Sequence, residues 1–399
     1  MFNSLEKLQN PLVFFVYLFP LAFVILPKAG LLPLLIFLLS ISLITSFSRE
    51  NFLFNKDEKE IIYALSGYFI VQLLYALYFD TDLRDIDTPS RFILVIPVFI
   101  ALRQSLYDFE KFKLLINLSA ISGGLFAIYQ IFFISYLSQA QGFLETGTFG
   151  LVMSIFASFS LFQMLRNDKS KYRLFYLLGF LLGSIAMIYS GIRSIWVVAL
   201  ITNTLVFLFI YKISVKKFFL TSIVYLLILF LSFPSMRAEL TYLIEDTIEY
   251  VKGEKYDTSV GHRAELYKAA FKIIKVNPLG IGEDNFHSYK KVLIDNNEIS
   301  PVISHHLNAH SEVLSSAVEQ GILGLISYLL VLIIPGSYFF RKIKQKNNSD
   351  AAILGLIIVL HYFLFSLTSV IFAHQSTVLF FTFMIVIIYV FIENKKRGN

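Results

Sequence analysis

Apolar and polar positions along this chain fall into long blocks. Apolar runs lie near 11–26, 29–47, 61–79, 92–107, 114–138, 148–165, 174–190, 195–211, 218–233, 311–340, 351–372 and 376–392. A membrane-spanning helix needs about 17–25 such residues. Backbone groups in lipid must be satisfied within the segment, and none of these runs alternates like a barrel strand, so each is predicted to be a helix. The fourth run is the weakest, because Arg103 interrupts it and Pro97 sits inside. The pattern predicts an all-α integral membrane protein with about twelve spans.

The chain divides by this pattern into residues 1–233 with nine spans, a polar segment 234–310, and residues 311–399 with three more spans and a tail. Within the polar segment, Leu240, Leu243, Ile244, Ile248 and Val251 recur at helical spacing, and so do Leu266, Ala269, Ala270, Ile273 and Ile274. Both stretches read as amphipathic helices lying on the membrane surface or capping the bundle. Asn277, Pro278, Gly280 and Gly282 end the second one.

Composition agrees with the pattern. The mean hydropathy is +0.69, with 56% apolar and 16% charged residues among 399, which excludes a soluble chain of this size. Cysteine is absent, which removes disulfides, thiolate nucleophiles and cysteine metal sites. The first run lacks a small-x-small cleavage pattern and is expected to remain as the first span. Charge fixes orientation. Short loops on the side of the N-terminus hold 20 Lys and Arg, against 4 (Lys28, Arg84, Arg91 and Arg193) on the other side. Basic loops stay in the cytoplasm, so both termini are expected there and 234–310 on the outer face.

Candidate chemistry gathers at that outer edge. Arg193 sits in Ser190-Gly191-Ile192-Arg193-Ser194 between two apolar runs. It is either an interfacial anchor or an anion site, since a guanidinium fork matches phosphate oxygens. Arg263 opens the second amphipathic helix, where helix end and cation together favour a bound anion; the plainer reading is a solvated charge. His310 stands at the start of the tenth run, five residues after His305 and four after His306. It reads as a proton-transfer group or as a satisfied polar residue, with Glu312 and Glu319 near enough in sequence to tune it. The His306/His310 spacing also admits a metal pair, but no HExxH or Asp-x-Asp completes one. Gly321 and Gly324 read as helix-packing notches. His287, Glu283, Asp284 and the Asp80–Asp85 loop face the same side without an assignment, and His374 could line the same cavity.

Three of these stretches carry a resemblance. His310-Ser311, nine residues and Gly321-Ile322-Leu323-Gly324 are similar to the signature of the O-antigen ligase and polymerase family of bacterial inner-membrane glycosyltransferases. Gly261-His262-Arg263 with Leu266-Tyr267 and Asn277-Pro278-Leu279-Gly280, and the Ser190–Ser194 turn, resemble the segments that bear the family's functional arginines. The resemblance implies a metal-independent, cofactor-free, GT-C-like transfer of a glycan from undecaprenyl pyrophosphate to a sugar hydroxyl of lipid A–core. Its site would face the periplasm, with no nucleic-acid partner. His310 would be the general base, and Arg193 and Arg263 would hold the pyrophosphate. A polymerase that extends the lipid-linked glycan is the neighbouring alternative. An anion transporter is the alternative from another class, although matched halves are absent.

Overall fold

The computed structural model describes residues 2–394 apart from 29, 83, 106–107, 135–137, 167–170, 212–233 and 346–348. The ninth apolar run, 218–233, lies outside the described residues. Helix dominates the described residues, with no strand among them. The helices are α1 (Phe2–Ile25), α2 (Leu31–Ile44), α3 (Lys56–Phe79), α4 (Arg91–Leu102), α5 (Phe109–Phe133), α6 (Thr146–Arg166), α7 (Arg173–Tyr189) and α8 (Arg193–Tyr211). After these come α9 (Pro234–Lys252), α10 (Ser259–Val276), α11 (Phe286–Asp295), α12 (Glu312–Glu319), α13 (Gly321–Lys344), α14 (Ser349–Ser366) and α15 (Gln375–Asn394). By length and composition α3, α5, α6, α13 and α15 can each cross a membrane, and six shorter apolar segments accompany them.

Two of the long helices form the centre of the bundle. The apolar stretches of α6 and α15 are each 83% buried, whereas that of α3 is 33% buried. An apolar helix that is still exposed in an isolated chain presents that face to lipid. Aromatic rings fill the centre, as where Phe19 stacks on Phe383 with centroids 5.5 Å apart.

The weak fourth run is shorter than its sequence suggests. Pro97 is accommodated within α4, which stops at Leu102 because Arg103 turns away to pair with Glu58 at 2.8 Å. Glu58 also closes the capping box that starts α3, exchanging bonds of 2.8 and 2.9 Å with Asn55. Both members of the Arg103–Glu58 pair are buried. One ion pair therefore joins the start of α3 to the end of α4.

The polar segment has a core of its own. Leu266, Ala269, Ala270 and Ile273 of α10 pack with Ile281, Phe286, Ile299, Ile303, Ala309 and Val318. The apolar face of α10 is therefore covered by its own segment and by α12, in place of a membrane surface. The face of α9 differs: Ile244, Ile248 and Val251 stay exposed.

The tenth run is divided. Gly321 adopts φ +62° and separates α12 from α13, so the long helix begins at Gly321 rather than at 311. Around this break Ile281 N–H donates to the Val318 carbonyl, Gly282 N–H to Glu319 and Ile322 N–H to Pro278, at 2.9–3.0 Å. The two backbones touch. A Cβ at Gly321 would lie 2.4 Å from the Leu279 carbonyl carbon, and one at Gly280, φ +87°, would lie 2.5 Å from the Glu319 carbonyl oxygen. Gly321 is thus a left-handed turn against the polar segment, not a helix-packing notch. Gly324 is crowded by the Ser316 carbonyl, 2.6 Å from where its Cβ would be.

Gly321→Ala is expected to lower the melting temperature of the detergent-solubilised protein, since left-handed backbone alone costs about 1–2 kcal/mol outside glycine and the contact adds to it. Gly67→Ala, with nothing within 4 Å of its Cβ, is the control. Equal melting temperatures for the two variants would contradict this account of the break.

Candidate functional site

His310 lies in the turn that leads into α12. Its backbone is left-handed, φ +49°, a region that non-glycine residues seldom occupy. Its N–H donates to Asn308 Oδ1 at 3.0 Å, the local turn that asparagine two residues earlier makes possible. On its C-terminal side, Ser311 Oγ donates to the Ser366 carbonyl at 3.1 Å, and Glu312 N–H donates to the Ser369 carbonyl at 3.1 Å. Glu312 Oε2 accepts from Phe372 N–H at 3.0 Å. The His310 turn is therefore seated on the C-terminal end of α14 and the connection that follows.

The imidazoles form a string. His310 Nε2 lies 3.0 Å from His306 Nδ1, and His306 Nε2 lies 3.0 Å from His262 Nδ1. His262 Nε2 lies 3.0 Å from Asp257 Oδ1, whose carboxylate is exposed. His305 stacks on His306 with centroids 4.1 Å apart. Lys290, wholly buried, donates to the His306 carbonyl. Burial, the facing His310, His305 and His262 and the Lys290 charge together push His306 down to about 4. Burial, followed by the Arg263 charge and then by His262 and His305, lowers His310 below its ordinary value. Both rings are neutral at pH 7, the state in which imidazole accepts a proton.

Arg263 is the cation beside this string. Thr258 caps α10 by accepting from Gly261 N–H at 3.0 Å, and this cap sets His262 and Arg263 in the first turn. Gly261 is required there, because a Cβ would lie 2.3 Å from the Tyr256 carbonyl oxygen. Arg263 is half-buried and donates to Ser259 Oγ at 3.1 Å.

Arg193 belongs to the bundle. It begins α8 after the turn at Gly191, φ +73°. Gly150 of α6 faces Ser190 and Ile195 at that turn, while Gly147, one turn earlier, faces Phe365 at the end of α14. Ser366, next along, carries the His310 turn. Arg263 and His310 thus lie together beside the string, while Arg193 stands at the start of α8, next to a turn packed on α6.

Beside the His310 turn is a cavity of about 370 Å³. Its wall includes Asp85, Glu283, His287, Asn308, Glu312 and Glu319. This brings together the Asp80–Asp85 loop, Glu283 and His287, which spacing left unassigned. Burial raises Glu312 to about 7. Its carboxylate is held by Phe372, so it anchors the turn and does not orient the His310 ring. His374 pairs with Glu145 at 3.6 Å and stands apart from the string.

His262, His305 and His306 offer nitrogens within 4.8 Å of one another. Ligands about 2.0–2.1 Å from a tetrahedral zinc lie roughly 3.3 Å apart, and the string's own nitrogens are already engaged with each other. The 3.0 Å between His306 Nε2 and His262 Nδ1 is close to that spacing, and the same nitrogens can serve either the string or an ion. Sequence reading missed His262, Asp257 and Lys290. His262 is 44 residues from His306, and only its place beside Arg263 and five residues after Asp257 hinted at a role.

A family model described as O-antigen ligase matches residues 178–329. Over those residues the chain is similar to the O-antigen ligase family. Arg193, Arg263 and His310 all fall inside the matched residues. The chain is also 25% identical over 352 residues to an uncharacterized protein of Haemophilus influenzae, covering 84% of this chain and 87% of that protein. Family and apolar helices together make this a membrane protein.

One pH effect follows from the string. Between about pH 6.5 and 4 the unfolded chain protonates His306 while the folded chain does not. The unfolded state then binds more protons, so stability falls with decreasing pH in that window and is insensitive to His306 above it. Thermal unfolding of the solubilised protein should show this loss, and His306→Gln should reduce the slope.

Proposed function

We propose that this protein is an O-antigen ligase that transfers a glycan from undecaprenyl pyrophosphate to a sugar hydroxyl of lipid A–core. His310 takes the proton of the acceptor hydroxyl as that oxygen attacks the anomeric carbon. The bond from this carbon to the pyrophosphate oxygen breaks, and its electron pair leaves with the pyrophosphate. Arg263 and Arg193 hold the pyrophosphate and offset the charge that builds on it. The transfer is metal-independent: a sugar hydroxyl needs a base, and a pyrophosphate leaving group needs cations, which the arginines supply.

The observation that carries this reading is the Arg263 charge acting on a half-buried, neutral His310 in a left-handed turn. An arginine beside a base lowers its proton affinity and by itself weakens it. The arrangement makes chemical sense when an anion is expected between them, because the bound pyrophosphate screens the cation and restores basicity. The split of basic residues among short loops supports a cytoplasmic location for both termini and a periplasmic one for 234–310, in a bacterial inner membrane.

Cells lacking the protein should accumulate lipid-linked polymer that fails to reach lipid A–core. Core capped with single repeats would point to the polymerase instead. A cysteine placed at exposed Asn296 should react with an impermeant reagent in intact spheroplasts; labelling only after lysis would refute the orientation.

With purified protein, lipid-linked donor and core acceptor, His310→Ala is expected to lose roughly 10²–10⁴-fold in turnover while still binding donor. Arg263→Lys should weaken donor affinity, because lysine lacks the bidentate fork. The acid limb of the free-enzyme rate profile should lie below pH 6.5, since His310 is depressed in the unliganded protein.

A further inference from the structure

The string has a direction. Asp257 is an exposed carboxylate, so it accepts and His262 Nε2–H donates. With Nε2 donating to that carboxylate, His262 offers Nδ1 as acceptor, and His306 Nε2 carries the proton between them. By the same rule His306 Nδ1 is an acceptor, and His310 Nε2 carries the next proton. One carboxylate therefore sets the tautomer of three rings. The lone pair left over is on His310 Nδ1, which has no hydrogen-bond partner among the described residues.

We propose that Asp257, His262 and His306 are positioning residues that hold His310 in its Nε2–H tautomer and so present Nδ1 as the basic nitrogen to the acceptor hydroxyl. This rests on the reading of His310 as the base. When the hydroxyl proton arrives on Nδ1, the imidazolium keeps its Nε2–H bond to His306, and the string extends that polarity to Asp257. The charge forms with a carboxylate at the far end to balance it, which offsets the repulsion from Arg263 and Lys290. His305 lies against the string, its ring 4.1 and 5.6 Å from those of His306 and His262, without a place in its sequence of bonds.

Asp257 is the informative position, because its side chain is 81% exposed and its removal leaves the core untouched. In the full-length protein in nanodiscs, with nitrogen-15 histidine and no substrate, ring shifts at pH 7.5 should show the Nε2–H tautomer for His262, His306 and His310. Asp257→Ala should produce a mixture of tautomers at His310 and lower turnover roughly tenfold or more, with KM for the donor unchanged. His306→Gln keeps an acceptor toward His310 and a donor toward His262, so it should retain much more turnover than His306→Leu. A wild-type His310 in the Nδ1–H form, or tautomers unmoved by Asp257→Ala, would overturn the proposal. So would tight binding of one equivalent of zinc chloride that moved His262, His305 and His306 together, because the nitrogens would then serve an ion. The tautomers are read without substrate. Full turnover by His310→Ala would instead sink the base assignment and leave the tautomer result standing.

Discussion

His310 keeps a left-handed backbone because both of its flanks are tied down. Asn308 holds it from one side, and Ser311 and Glu312 are bonded to the end of α14 and the connection beyond it from the other. Left-handed backbone outside glycine persists when the surroundings over-determine it, and it gathers where a side chain must be aimed. The same tethers set the small core of the polar segment on the bundle. Tyr267 of α10 adds a bond of 2.6 Å to the Leu367 carbonyl. The Gly280–Gly321 backbone contact closes the far side. Without these junctions α10 would carry Arg263 and His262 away from His310.

The electrostatics follow from this placement. Four histidines and two cations share one region, and its surroundings lower the proton affinity of His306 and His310. Burial and mutual repulsion keep protons off them. A pocket of neutral bases and fixed cations is matched to a ligand that brings negative charge and to a partner that gives up a proton. The neighbouring cavity has four carboxylates in its wall, with Arg84 and His287 beside them.

Much of the helical frame was legible because lipid imposes a single rule on every span. Among the described residues, apolar runs therefore map onto helices almost one to one. The places where reading fell short are those where a polar contact interrupts that rule. Arg103 ended the fourth helix early by pairing with Glu58, and Gly321 split the tenth run because the Pro278–Gly280 backbone needed to approach. Local motifs point to His310, Arg263 and Arg193, of which the structure sets the first two side by side. The His262–His306 contact joins residues 44 apart, and nothing in periodicity signals such a pair. Glu312, near His310 in sequence, turned out to serve the α14–α15 connection, because sequence distance does not fix the direction of a side chain.

Whether the three groups act on one anion is best settled by a structure of the protein with undecaprenyl pyrophosphate bound. The account predicts the pyrophosphate in contact with both Arg263 and Arg193, with His310 Nδ1 facing the anomeric position. A pyrophosphate seated elsewhere, with Arg263 or Arg193 out of reach, would contradict it.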